Sequence, residues 1–198
     1  IGDPNADAFY SGGGRIQIWG RSGGSTYSKL ASLGFSTGMN INIRMGVSVA
    51  ISGDGQWVVA GSPNHQSEGT VGIYEASGGT YVERQLLQWT ATGDTKYYNP
   101  NFGESVALNS DGTTLAVQAW ADQQDGYIGK TYIYRKVNGL WQQQYVNAPG
   151  YHTFEGQGSY SNPMVCLSSD ASVIAIGEYR RGYPTNNGRV KILTRSGN

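Results

Sequence analysis

The chain has 198 residues, of which 38% are hydrophobic and only 14% are charged, so it can bury a substantial core. Its formal net charge of zero excludes the basic surface typical of nucleic-acid-binding proteins. No apolar stretch approaches the roughly 18 residues of a membrane-spanning helix. We therefore expect neither a nucleic-acid partner nor a membrane span.

Residues 1–45 predict an incomplete structural unit. The opening Ile1-Gly2-Asp3-Pro4 matches Ala60-Gly61-Ser62-Pro63, which ends a predicted strand further along the chain. A β-branched segment then follows Gly14, and Gly23-Gly24 predicts a turn into another strand that begins at Tyr27.

Residues 46–102 give the clearest complete unit, with four predicted strands. Alternating apolar residues predict the first, and a nearly continuous apolar run predicts a second strand covered on both faces. Asp54-Gly55 and Gly78-Gly79 supply the tight turns after the first and third strands. The predicted strands are Val47–Ser52, Trp57–Gly61, Val71–Glu75 and Tyr81–Leu87.

The same pattern returns in residues 103–162 and, incompletely, in residues 163–198. The turn residues Asp54, Asp111 and Asp170 are 57 and 59 residues apart. A long-period repeat of four-strand units predicts a β-propeller. We predict an all-β fold of four-stranded antiparallel blades, roughly 57–60 residues per repeat, with three to four blades present. Trp19, Tyr74 and Tyr134 recur at one position of the third strand, which indicates packing between blades.

The repeat resembles the FG-GAP repeat of integrin-type propellers. The resemblance lies in Phe102-Gly103-Glu104-Ser105-Val106-Ala107-Leu108, in Leu115-Ala116-Val117 and in Gly129–Tyr134, and it extends to Gly46–Pro63. It implies a surface or adhesion protein, since the family includes adhesion receptors and bacterial, algal and viral surface proteins. Family members similar to this chain usually have seven blades, so we expect a piece of a longer chain. The alternatives are a four-bladed ring and a ring completed by a second copy.

Calcium is the cofactor that this resemblance raises. Integrin-like repeats bind calcium in a loop with alternating acids, because the ion takes six to eight oxygen ligands. Each turn here has a single acid (Asp54, Asp111 or Asp170), which indicates a turn-forming role and no cofactor. Asp3, Asn5 and Asp7 form the one alternating acidic pattern, and they are the weak metal candidate.

Catalytic signatures are missing from the sequence. His65 and His152 lie in predicted loops, and no linear motif pairs a nucleophile with a base. Cys166 aligns with Ala50 and Ala107, which predicts a small buried residue, and as a single cysteine it excludes a disulfide within the chain. We predict no catalytic residues; the alternative is a propeller enzyme that acts on glycans through acids converging at the central channel.

The loops differ between the two ends of the predicted blades. Turns after the first and third strands are tight, whereas the loops after the second and fourth strands are long and rich in Tyr, Trp, Asn and Arg. We name the end that carries these loops the long-loop face. Loops on a rigid scaffold commonly carry function, and Tyr, Trp and Arg are enriched at binding hot spots. The candidate binding residues are Tyr97, Tyr98, Trp120, Tyr127, Tyr151, Tyr160, Arg180, Arg181 and Tyr183.

The functional hypothesis is a non-catalytic structural and binding module of a cell-surface, extracellular or virus-particle protein. It would recognise a protein or a glycan through the long-loop face, with other copies of itself or the rest of a longer chain as further partners. A calcium-dependent adhesion module is a second alternative. If the loop aromatics instead pack against their own loops, they shield the blades and recognise nothing.

Overall fold

The computed structural model of the protein describes residues 1–5, 13–21, 23–34, 43–89, 100–119, 130–147, 164–178 and 189–195. Within these ranges the fold consists of β-strands and a single-turn 3-10 helix at His65–Ser67. The prediction of an all-β fold is therefore confirmed. The strands form four antiparallel sheets, numbered here in chain order, in a β-propeller-like arrangement.

The first and fourth sheets each have three described strands. The first sheet contains β1 (Gly2–Asp3), β2 (Arg15–Arg21) and β3 (Tyr27–Leu33). The second contains β4 (Ser48–Ile51), β5 (Trp57–Ser62), β6 (Thr70–Ser77) and β7 (Thr80–Gln88). The third contains β8 (Ser105–Leu108), β9 (Thr114–Ala119), β10 (Lys130–Val137) and β11 (Leu140–Asn147). The fourth contains β12 (Met164–Leu167), β13 (Val173–Glu178) and β14 (Arg189–Thr194).

Each sheet follows the sequence order of its strands, so consecutive strands are neighbours. The predicted strands differ from the observed ones at their ends: the first strand is shorter, at Ser48–Ile51, and the third is longer, at Thr70–Ser77. The longer third strand follows from its pairing on both sides, with β5 and with β7. Positive φ at Gly78 and Gly79 suits the two-residue hairpin that joins β6 to β7.

The hydrophobic core lies between adjacent sheets. β5 and β9 are buried along their whole length, as the continuous apolar run of the second strand predicts. One cluster joins the second and third sheets through Val71, Ile73 and Phe102, all of which have no exposed surface. Smaller clusters join the first sheet to the second and the third sheet to the fourth.

Adjacent sheets approach most closely at glycines. Gly61, at the end of β5, faces Gly103, which enters the third sheet, and a Cβ atom on Gly61 would overlap the Gly103 carbonyl oxygen. Gly2 faces Gly46 in the same way between the first and second sheets. Glycine is required at these positions because the two backbones meet with no room for a side chain.

Hydrogen bonds between sheets also repeat along the chain. The Ser48 hydroxyl accepts the Val106 N–H at 2.9 Å, and the Ser105 hydroxyl accepts the Val165 N–H at 3.1 Å. At the outer strands, the Gln85 side chain clasps the Trp141 backbone, donating to its carbonyl at 3.1 Å and accepting its N–H at 2.9 Å. The second and third sheets are therefore joined at both their inner and their outer strands.

The recurring aromatic position packs between sheets in two of its three copies. Tyr74 is buried in the cluster with Ile16 and Ile18 of the first sheet, and Tyr134 is buried between the second and third sheets. Burial raises the pKa of both phenols, and the Glu83 carboxylate adds to the effect at Tyr74. Trp19 does not follow this prediction, because 42% of its surface is exposed.

The prediction that Cys166 is a buried core residue is wrong. Cys166 lies in β12 and is exposed, whereas its counterpart Ala107 is buried against the fourth sheet. The reason is positional: the face of β12 that carries Cys166 points away from the third sheet, and no described sheet covers it.

Candidate functional site

The long-loop face is the end of the sheets where β1, β3, β5, β7, β9, β11 and β13 finish. The residue pairs Asp3–Arg15, Ser62–Thr70, Ala119–Lys130 and Glu178–Arg189 terminate the pairing of second and third strands there. Six of the segments that connect strands at this end fall outside the described residues. They are 6–12, 35–42, 90–99, 120–129, 148–163 and 179–188. The opposite end carries the tight turns.

The backbone of the connection between β5 and β6 is described, and one buried and one exposed polar contact hold it in place. His65, predicted to lie in a loop, lies in the 3-10 turn and is completely buried, with Nδ1 at 2.7 Å from the Thr70 hydroxyl oxygen. The Gln88 side chain donates to the Gln66 side-chain oxygen at 2.8 Å. Both contacts tie the connection to its own sheet.

The segment that enters the third sheet is held by both neighbouring sheets. The Phe102 N–H donates to the Glu68 carbonyl at 3.1 Å, and the Phe102 ring packs edge-on against Tyr132 with centroids 5.5 Å apart. The Trp89 indole N–H donates to the Tyr132 hydroxyl at 2.9 Å. These contacts hold the loop roots on this face to the second and third sheets.

A partly buried carboxyl group lies beside these roots. Burial raises the pKa of Glu104, and the nearby Arg44 guanidinium partly opposes that rise. Arg44 and Asn101 both adopt a positive φ, of 55° and 52°, at equivalent points before the second and third sheets. The candidate residues chosen from the sequence omitted Glu104; its signal is the acid that replaces Val47 of the preceding repeat.

The nine candidate binding residues lie outside the described residues. The structure therefore neither groups nor separates them, and their assignment stays a prediction. They are Tyr97, Tyr98, Trp120, Tyr127, Tyr151, Tyr160, Arg180, Arg181 and Tyr183.

The weak metal candidate is only partly described. Asp3 pairs with Arg15 at 3.5 Å, both side chains being roughly two-fifths exposed, while Asn5 is exposed and Asp7 lies outside the described residues. Among the residues that the structure describes, no group of three or more His, Cys, Asp or Glu side chains could hold a metal ion. The described residues also include no helix that could span a bilayer.

The three turn aspartates accept hydrogen bonds within their own turns. Asp54 accepts from the Ser52 hydroxyl at 2.6 Å and from the Gln56 N–H at 2.9 Å. Asp111 accepts from the hydroxyl and the N–H of Thr113, at 2.6 and 3.0 Å. This arrangement matches the turn-forming role predicted for these residues.

Asp170 gives a prediction for acid stability. Hydrogen bonds from the Ser168 hydroxyl, and then from the N–H and hydroxyl of Ser172, lower its pKa from 3.8 to about 2. Because the folded-state pKa lies below the unfolded value, the stabilisation is complete above pH 3.8 and disappears as the pH falls toward 2. Asp170→Asn should flatten the pH dependence of the urea-unfolding midpoint in this window. A midpoint with the wild-type slope would contradict the expectation, and a carboxyl NMR titration reads the pKa directly.

Comparisons with known proteins support the β-propeller-like fold but assign the chain to no family. No protein-family model and no curated protein matches the chain. Among solved structures, a Lactobacillus plantarum protein has a TM-score of 0.52 at 13% identity, with 92% of this chain and 48% of that chain covered. A TolB-like protein from Agrobacterium tumefaciens has a TM-score of 0.49 at 14% identity, with 93% and 52% covered. The chain thus spans about half the length of each.

Proposed function

We propose that the chain is a non-catalytic binding module that recognises a protein or glycan partner through its long-loop face. The observation that carries the proposal is the contrast between the two ends of the sheets. One end repeats short hydrogen-bonded turns, and the strand ends at the other are held by buried contacts such as His65 with Thr70 and Trp89 with Tyr132 and are followed by segments whose sequences vary. Segments held by such a scaffold are where binding residues concentrate.

The proposal includes the finer description of the fold. The four sheets would be successive blades of a propeller with FG-GAP-type repeats, three to four blades being present. Support comes from the positions of the motif residues, since Gly61 of the Gly-Ser-Pro segment meets Gly103 of the Phe-Gly segment where two sheets join. A module of this kind would work outside the cell, on a cell surface or on a virus particle.

A test compares the wild-type chain with the triple variant Tyr97→Ala, Tyr98→Ala, Trp120→Ala on a glycan array and in cross-linking to protein partners. We expect unchanged circular dichroism and thermal midpoint, with loss of the glycans or proteins that the wild type binds. The matched control is Val137→Ala with Leu140→Ala at the opposite end, where both side chains are exposed. It should bind like the wild type.

Three results would contradict the proposal. A folded triple variant that keeps every wild-type partner would place recognition elsewhere. An unfolded triple variant would show that the aromatic side chains support the fold. Glycan cleavage by the wild type, abolished in Glu104→Gln, would favour the enzyme alternative, because a half-buried carboxyl with a raised pKa suits a general acid.

A further inference from the structure

The hairpin between β10 and β11 turns at the end opposite the long-loop face, and its loop consists of Asn138 and Gly139. Both residues are exposed. Asn138 adopts a φ of 51° and Gly139 a φ of 82°, as a tight two-residue hairpin requires. The Asn138 side chain forms no hydrogen bond with any residue that the structure describes. It is therefore free to rotate toward the backbone nitrogen of Gly139.

An asparagine side chain can react with the backbone nitrogen of the residue that follows it. The Gly139 nitrogen loses its proton to water or hydroxide and attacks Cγ of Asn138. The new N–Cγ bond closes a five-membered succinimide ring, while the Cγ–Nδ2 bond breaks and ammonia leaves. Water then opens the ring at either of its carbonyl carbons, so the net reaction consumes water, releases ammonia and oxidises nothing. Ring closure is favoured because the reacting groups are already adjacent.

Gly139 leaves the path to its backbone nitrogen open. It has no side chain, and no atom lies within 4 Å of the place that a Cβ would occupy. Within the described residues, its N–H donates to no backbone carbonyl. The flanking pair Val137 and Leu140 is 37% and 57% exposed, so the end of the hairpin opens at little cost in free energy. The nucleophile and the side-chain amide can therefore meet in the folded protein.

The Asp-Gly turns at the same end of the sheets differ in both respects. The Gly55 and Gly112 N–H groups each donate to the backbone carbonyl three residues before them, at 2.9 and 3.1 Å. In each turn a hydrogen bond from a side-chain hydroxyl lowers the pKa of the acid, Asp54 or Asp111, so both carboxyl groups are ionised at neutral pH. An ionised carboxylate resists attack by a nucleophile. These turns are therefore protected, although they contain the same glycine.

We propose that Asn138 is a site of spontaneous deamidation, at which the folded protein converts to aspartate and isoaspartate. In the isoaspartate product the backbone runs through the side-chain carbons, so the two-residue loop gains a backbone atom. Trp141, the second residue of β11, has its backbone clasped by Gln85 and its ring edge-on to Trp57, with centroids 6.4 Å apart. A longer loop shifts β11 against these partners. The modification therefore loosens the outer connection between the second and third sheets.

The test incubates the whole folded chain at mildly alkaline pH and maps the products by chymotryptic digestion and mass spectrometry. The fragment that contains residues 135–141 should gain about 1 Da and separate into aspartyl and isoaspartyl forms. Its rate of conversion should lie within about tenfold of that of a free peptide with the sequence 135–141, because the hairpin end opens easily. The rate should rise with pH, since the attacking nitrogen must lose its proton. Asn187-Gly188, outside the described residues, falls in a different fragment.

Two variants complete the test. Asn138→Gly is the matched control, because the equivalent turns of the first and second sheets are Gly23-Gly24 and Gly78-Gly79. It should fold as the wild type does and show no mass gain in this fragment. Asn138→Asp carries the negative charge of the products without the added backbone atom. Hydrogen exchange at the Trp141 N–H should be about tenfold or more faster in the purified isoaspartyl form than in the wild type or Asn138→Asp.

Three outcomes would overturn the proposal. In the first, the fragment 135–141 of the folded chain keeps its mass while the free peptide converts. In the second, isoaspartate accumulates at Asp54 or Asp111 as fast as at Asn138, so the folded turns do not select the site. In the third, the isoaspartyl form exchanges the Trp141 N–H at the wild-type rate, which would show that the modification leaves the connection between the sheets intact.

Discussion

Gly61→Ala is expected to destabilise the fold by about 3 kcal/mol or more, the upper end of what overpacking costs. The added methyl group would overlap the carbonyl oxygen of Gly103, a backbone atom that cannot rotate away. Relief requires the second and third sheets to separate, which loosens the cluster around Val71 and Phe102. Urea unfolding followed by tryptophan fluorescence measures the loss.

Gly177→Ala is the matched control for this prediction. Gly177 occupies the same position in the fourth sheet, but the nearest atom to an added Cβ there is the Met164 carbonyl oxygen at 3.8 Å, an ordinary contact. Its stability should stay within about 0.5 kcal/mol of the wild type. Equal losses in the two variants would show that the inter-sheet overlap is not the cause.

Phe102→Ala is the second change with a large expected effect, a loss of about 3–5 kcal/mol. The Phe102 side chain has no exposed surface and packs edge-on against both Tyr132 and Tyr134, with centroids 5.5 and 6.3 Å away. Its removal leaves a cavity between the second and third sheets. Thermal and urea unfolding should both register the loss.

Phe102→Met distinguishes the destabilisation caused by the cavity from that caused by the loss of the aromatic contacts. Met45 occupies the equivalent position between the first and second sheets and is also fully buried. A methionine at 102 should fill most of the space, so we expect a cost below about 1.5 kcal/mol. If Phe102→Met is as unstable as Phe102→Ala, the aromatic contacts outweigh the cavity.

The strands and turns could be predicted because their causes are local. Period-two alternation in Val47–Ser52 predicts a strand buried on one face, and the continuous apolar run in Trp57–Gly61 predicts a strand buried on both faces. Asp-Gly pairs predict tight turns. Cys166 and Trp19 were predicted wrongly for one shared reason. Their exposure depends on whether another sheet covers that face, and a repeat pattern says nothing about a neighbour beyond the repeat.

The candidate site was less predictable. The His65 ring forms a hydrogen bond with the Thr70 hydroxyl inside the fold, and only the folded connection brings the two side chains together. Glu104 acquires its raised pKa from burial at the entry to the third sheet, which depends on the packing of two sheets. The nine aromatic and arginine residues were chosen because their loops differ between repeats, and that criterion gives no arrangement in space.

The clasp formed by Gln85 on the Trp141 backbone has a consequence for how the chain unfolds. The second and third sheets are joined at their inner strands by Ser48, at their outer strands by Gln85 and between these by the largest apolar cluster. Neither sheet can open without breaking contacts along the full width of the other. We therefore expect these two sheets to behave as one cooperative unit, in which the buried amide protons exchange when both sheets open together.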